Sequence, residues 1–172
     1  MSRNLNFSVI DNFCSDLDYE TLEKLIFSNE VNWTSNNSGW AKPSDTSKVF
    51  TFLHYIQHDF KPVSPIAEEF LGIFKPLIDQ LGNPLLARLI YTEKTNEHIA
   101  SAYHTDLNLP HHAVIWFYND NNGSTEFDGI SVNCRKNRLL SFDSALHRVV
   151  TNTDDQPRIV AHFVFPITNE KN

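Results

Sequence analysis

The sequence predicts an α+β fold that is mainly β: a double-sheet sandwich or jelly roll with helices packed against it from the N-terminal side. Three observations carry this. Helical spacing is confined to the first 84 residues. From Leu85 onward the texture changes to short apolar runs separated by turns, as in sheet-on-sheet architectures. The 172 residues are 41% hydrophobic with 13 Phe, enough for one well-buried core and too aromatic for disorder. No repeat, low-complexity segment or linker divides the chain, so residues 1–172 read as a single domain. Residues 1–84 form a helical and extended support region, and residues 85–167 form the β core.

Taken in order, Phe7 to Phe13 reads as a short strand entering a turn. Ser15 or Asp16 can cap a helix running to about Ser28, with Leu22, Leu25 and Ile26 at helical spacing and acidic residues at its start. Residues 29–48 are polar and form a loop whose Trp33 and Trp40 either pack it down or line an entrance. Val49 to Phe60 is aromatic-rich and open between strand and helix. On a helix its His54 and His58 would share a face, but no third ligand lies near them in sequence. Ser64-Pro65 starts a helix over Ile66 to Leu81, stopped by Gly82-Asn83-Pro84 and bent or split near Phe74–Pro76. Strands follow at Leu85–Thr92, Ala113–Tyr118, Thr125–Phe127, Ile130–Cys134 and Arg138–Phe142. The run from Arg158 to Phe165 alternates as a core strand.

The formal charge of −7 argues against general binding to a nucleic-acid backbone. Cys14 and Cys134 lack metal-knuckle spacing and are too few for a disulfide framework, which predicts reduced thiols in a cytoplasmic protein. Met1 to Leu5 has no apolar signal core, and no run approaches the roughly 18 apolar residues of a spanning helix.

The chemistry concentrates in residues 103–158. His104 and Asp106 are two apart, so in an extended segment both side chains point the same way and can share one metal. His147 follows 43 residues later, a gap that folding must close. Two imidazoles and a carboxylate on one face, with other positions open, make a 2-His-1-carboxylate iron site. His111 and His112 follow Pro110 in an expected loop and read as solvent-facing. His98 and His162 have no evident partner, and Asp143 reads as structural.

Beyond this triad, a series of segments in fixed order resembles the iron(II)/2-oxoglutarate-dependent dioxygenase superfamily, in particular its compact prolyl-hydroxylase-like branch. These are Tyr103-His104-Thr105-Asp106, the strand Ala113 to Tyr118 with Asn119-Asp120, Gly123 to Phe127, Asn137 to Ser144, His147-Arg148-Val149 and Pro157 to Val160. The approach Phe7 to Phe13 is also similar. The resemblance covers Leu85 to Phe165 well and the first 80 residues loosely. It implies a double-stranded β-helix (a cupin-like jelly roll) in which His104, Asp106 and His147 bind Fe(II). It further implies that Arg158, 11 residues past His147, pairs with the distal carboxylate of 2-oxoglutarate. Arg148, adjacent to His147, would point to the opposite side of a strand. Tyr91, Tyr103 and Thr151 are the further residues for the cosubstrate, and Phe117 stands where the family often has a tyrosine. Asp106 excludes a halogenase of this superfamily, which would need a small residue there.

The implied reaction converts 2-oxoglutarate and O2 to succinate and CO2 while hydroxylating a substrate C–H bond, with ascorbate as an optional cofactor. A peptidyl substrate, prolyl by analogy, is preferred slightly over a free amino acid or small metabolite. Loops 29–48, 92–103 and 107–112 would choose it. Monomer and homodimer both stay open. So does a different class, a noncatalytic or cupin-like metal-binding jelly roll that does not use 2-oxoglutarate.

Overall fold

The computed structural model describes residues 7–36 and 49–167; Trp40 and most of the loop expected over 29–48 lie outside the described residues. The chain opens with β1 (Phe7–Ile10), followed by α1 (Asp16–Ile26). The Ser15 side chain accepts a hydrogen bond from the Asp18 backbone N–H, and Asp16 and Asp18 occupy the first turn, where the dipole favours them. β2 (Thr34–Ser35), β3 (Thr51–His58) and β4 (Lys61–Pro62) come next. The ambiguous run from Val49 is therefore a strand. His54 is buried in it, with Nε2 2.8 Å from Ser64 Oγ and Nδ1 3.3 Å from Asn32 O, a structural tie between two loops.

The expected helix over Ile66 to Leu81 is two, α2 (Ala67–Ile73) and α3 (Lys75–Leu81), joined at Phe74. Pro76 has no N–H to donate, and its ring would clash with the carbonyl of Gly72 in a continuous helix. Gly82, at φ 93°, ends α3. β5 (Leu86–Thr92), β6 (His111–Phe117), β7 (Ser124–Phe127), β8 (Ile130–Asn133), β9 (Arg138–Asp143), β10 (Arg148–Val150) and β11 (Arg158–Pro166) complete the chain.

The described strands form two antiparallel sheets. The larger runs β1-β9-β6-β11-β5-β3-β2, with β4 on β3, and the smaller runs β10-β7-β8. One face of the larger sheet packs on the helices: Leu22 and Ile26 of α1 and Phe70 of α2, with Phe74 at the helix joint, meet Trp116, Ile159, Ala161 and Phe163. The other face meets the smaller sheet through Ile115, Phe117, Phe127, Leu140, Phe142 and Val160. The architecture is helix layer, large sheet, small sheet: a jelly roll with N-terminal packing helices, as the sequence predicts.

The alternation in β11 has a different meaning from a core-and-solvent strand. Residues 158–165 are all buried. Ile159, Ala161 and Phe163 face the helices, and Arg158, Val160 and His162 face the space between the sheets. No described helix is long and apolar enough to cross a membrane.

Asn137 ties the N-terminal turn to the sheet. Its Oδ1 accepts from the Trp116 indole Nε1–H at 3.1 Å and from the Cys14 N–H at 3.2 Å, and its Nδ2 donates to Cys14 O at 2.8 Å. Its φ of 55° is a conformation that asparagine tolerates better than residues without a short polar side chain. Replacing Asn137 with Ala orphans a buried indole N–H and strains the turn. Urea denaturation followed by tryptophan fluorescence is expected to show a loss of about 2–4 kcal/mol.

Candidate metal centre and its cleft

Sequence-distant residues meet here through the backbone. His104 and His147 form an isolated antiparallel bridge, His104 N–H donating to His147 O at 2.9 Å and His147 N–H to His104 O at 3.0 Å. That pair closes the gap between them, and the imidazole centroids stand 4.5 Å apart. His104 is held by this bridge rather than by a strand ladder. One ligand atom from each of His104, Asp106 and His147 lies within 4.8 Å of the others.

The hydrogen bonding prepares these atoms for a cation. His104 Nδ1 lies 3.1 Å from Ala102 O and His147 Nδ1 lies 3.0 Å from Ala145 O. A carbonyl only accepts, so each Nδ1 carries the proton and each Nε2 keeps its lone pair. Asp106 Oδ2 is buried without a hydrogen-bond partner, 3.8 Å from His147 Nε2. Burial alone would push the Asp106 carboxyl up. The imidazoles of His162, His111 and His147 outweigh it and hold the group well below the usual carboxylate range. Two aimed lone pairs and an unsatisfied carboxylate oxygen fit a divalent ion with borderline-hard ligands.

A cleft of about 220 Å³ opens beside the three, lined among others by Arg88, Ile90, Thr92, His104, Asp106 and Arg158. Arg158, 2% exposed, donates from Nη2 to Thr125 Oγ1 at 3.3 Å, and its guanidinium lies 5.7 Å from the centre of the Phe117 ring. Its Nε has no partner, and no carboxylate among the described residues pairs with it. A buried cation without a counter-charge costs roughly 3–5 kcal/mol. An anion in the cleft would supply the missing counter-charge.

No protein-family model and no curated protein matches the chain in sequence. In structure it is similar to an oxidoreductase of the 2OG-Fe(II) oxygenase family from Burkholderia pseudomallei, with a TM-score of 0.67 at 10% identity over 93% of this chain and 84% of that one. It is also similar to a prolyl hydroxylase from Trichoplax adhaerens, solved with a hypoxia-inducible-factor oxygen degradation domain peptide. There the TM-score is 0.59 at 14% identity, over 93% of this chain and 83% of that one. For HygX of Streptomyces hygroscopicus, solved with nickel, 2-oxoglutarate and hygromycin B, it is 0.60 at 12% identity, over 96% and 84%. The fold is that of the 2-oxoglutarate/iron(II) oxygenases.

Within this oxygenase fold, three expected cosubstrate residues are not at the cleft. Tyr91 lies on the opposite face of β5 from Ile90 and Thr92, edge-on to Trp33 and Phe52 at 5.8 and 6.0 Å. Tyr103 is 46% exposed and stacks under Arg148, which pairs with Glu126 away from the cleft. Thr151 is buried, its Oγ1 2.6 Å from Thr95 Oγ1 and accepting from the Ile99 N–H at 2.8 Å; it fastens the loop after β5.

Two histidines are correspondingly promoted. His111, expected in a solvent-facing loop, begins β6 and is fully buried, with Nε2 3.8 Å from Asp106 Oδ2. His162, without an evident partner in sequence, places Nε2 3.2 Å from Asp106 Oδ1. Strand parity could have found both. His111 shares the parity of Ala113 and Ile115, and His162 that of Arg158 and Val160, all facing the space between the sheets. His98 Nδ1 lies 2.6 Å from Thr151 O, and His112 pairs with Asp143 at the sheet surface.

Burial holds His54 and His162 below the ordinary imidazole value and takes His147 down to about 4. The Asp106 carboxylate holds His111 above it. With three groups lowered and one raised, the unfolded metal-free chain takes up more protons than the folded one as pH falls from about 6.5 towards 4. Stability therefore rises with pH across that window. Thermal midpoints of the metal-free protein should fall steadily on acidification through it, because His111, raised above the imidazole value, is protonated in both states over most of that window and loses its own contribution only at higher pH. A level profile would overturn this reading.

Proposed function

We propose that this chain is an Fe(II)- and 2-oxoglutarate-dependent dioxygenase that hydroxylates a C–H bond of a peptidyl or small amino-acid-like substrate. The observation that carries this is Arg158: a buried guanidinium, unpaired at Nε, in the cleft shared with His104 and Asp106. A metal triad alone suits many jelly-roll proteins. A triad with a sequestered cation beside it suits a dicarboxylate that chelates a metal at one end and needs a counter-charge at the other.

In this proposal His104 Nε2, His147 Nε2 and Asp106 Oδ2 hold the iron, and the Ala102 and Ala145 carbonyls fix both imidazoles in the ligating tautomer. Arg158 binds the distal carboxylate of 2-oxoglutarate, steered by Thr125, while Phe117 walls the cationic end from water. Bound iron supplies the O2 activation that couples decarboxylation of 2-oxoglutarate to substrate hydroxylation, and the chain supplies position and dryness. Two of the structurally similar proteins, solved with a peptide and with hygromycin B, agree with either a peptidyl or a small-molecule substrate.

Anaerobic addition of Fe(II) and 2-oxoglutarate is expected to give a weak visible metal-to-ligand charge-transfer band. A metal-loaded protein with no such band would instead be a metal-binding jelly roll that does not use 2-oxoglutarate. His104→Ala and Asp106→Ala should abolish succinate formation while the far-ultraviolet circular dichroism stays native. Retained succinate in both variants would contradict the ligand assignment. Arg158→Gln should raise the KM for 2-oxoglutarate by about 10- to 100-fold, the loss of one charge-assisted pair.

A further inference from the structure

Among the described residues, Arg88 is the one charged group lining the cleft that this chemistry leaves without a task. On β5, Arg88, Ile90 and Thr92 line the cleft, while Ala87 and Leu89 belong to the helix-side core. The Arg88 Nε–H donates to Nδ1 of His162 at 3.2 Å, and His162 Nε2 lies 3.2 Å from Asp106 Oδ1. The guanidinium therefore stands one imidazole away from a candidate metal ligand. His162 is 3% exposed and cannot swing, so this bond sets the direction of the fork. No carboxylate among the described residues pairs with Arg88.

The two arginines serve different ends of the cleft. In the register of β11 and β5, Arg158 lies opposite Thr92 and Arg88 lies opposite His162. They are four strand positions apart, about 13 Å at the backbone. With Arg158 assigned to the distal carboxylate, Arg88 is left facing the metal end. Charge points the same way. With a divalent ion and the cosubstrate dianion in place, the two guanidinium groups and Asp106 leave a single net positive charge. One further carboxylate neutralises it, as a low-dielectric cleft requires. Space is short as well. The cleft of about 220 Å³ falls below the roughly 300–1,000 Å³ of pockets for drug-sized ligands, and the cosubstrate shares it.

We propose that Arg88 binds a carboxylate of the primary substrate, which makes the substrate a small carboxylic acid of free amino-acid type and not an internal residue of a peptide. This rests on the oxygenase assignment above and narrows its substrate class. The planar fork suits a carboxylate in two-point contact, and the His162 bond holds it ready. A substrate acid seated there is anchored beside the metal and apart from the group that holds the cosubstrate.

Calorimetric titration of the Zn(II)- and 2-oxoglutarate-loaded protein with the free L-amino acids and their carboxamides tests this. At least one free acid is expected to bind, with its carboxamide about tenfold weaker or more. Arg88→Gln should lose the same factor for the acid, Arg88→Lys should lose less, and both should bind 2-oxoglutarate within about twofold of the parent. Arg158→Gln should show the reverse pattern, losing 2-oxoglutarate. Equal binding of acid and carboxamide would overturn the proposal. So would failure of every acid to bind, or a loss of 2-oxoglutarate in Arg88→Gln as large as in Arg158→Gln. Failure of the parent protein to bind 2-oxoglutarate at all is a separate result, and it would overturn the oxygenase assignment itself.

Discussion

The reciprocal backbone pair between His104 and His147 is the constraint on which the rest of the candidate site depends. Two hydrogen bonds join the segment after the β5 loop to the residue just before β10, and they put both imidazoles on one side. Asp106 then needs only its two-residue offset from His104 to enter the same space. Because the contact is made by main chain, it is independent of which ion, if any, the side chains hold. The ring tautomers follow from the same backbone, through carbonyls two residues upstream of each histidine. Geometry and tautomer are thus set by the main chain alone, as a preorganised site would require.

Around that contact β11 divides the labour of the molecule. Its helix-side face is apolar and anchors the sheet through Phe163, whose ring packs tilted against Phe74 with centroids 4.7 Å apart. Its inner face carries Arg158 and His162, polar groups in a place where polarity is expensive. Their cost is offset by the burial of the other face, since each fully buried large apolar side chain contributes roughly 1.5–3 kcal/mol. Arg158 and His162 thus sit on a strand paired on both sides, so the loops around the cleft do not have to hold these two side chains in place.

Much of this was legible in the chain, and the misses have physical causes. The helix after Ser15, the strands from Leu85 onward and the break at Pro76 follow from periodicity and proline chemistry. The sharing of a side by His104 and Asp106 follows from strand parity, and His147 and Arg158 join them through the ordered motifs of the resemblance. Tyr91 was misplaced because a one-residue shift in a strand reverses the side chain, and its neighbour Thr92, opposite Arg158, takes the inner face instead. His111 was missed because β6 starts two residues earlier than its apolar run. His162 and Arg88 were hidden for another reason. Each is a polar residue inside an apolar strand, and only the pairing of β5 with β11 shows that they meet. Spacing within one segment can be read from residues; cross-strand register cannot.

The position of β11 also bears on how the chain reaches this state. It is the last described strand in sequence, yet it lies between β5 and β6 in the middle of the large sheet. Until it arrives, β5 and β6 each present an unpaired edge, and the aromatic face of the helix layer has little to close on. β1 adds a second long-range step, since Phe7 to Ile10 pair with residues 139–142. A topology so dominated by distant pairings folds late and slowly, and its nascent form exposes the apolar β-rich segments that chaperones bind. Folding of the described residues therefore hinges on β11 zipping into a gap that β5 and β6 must hold open.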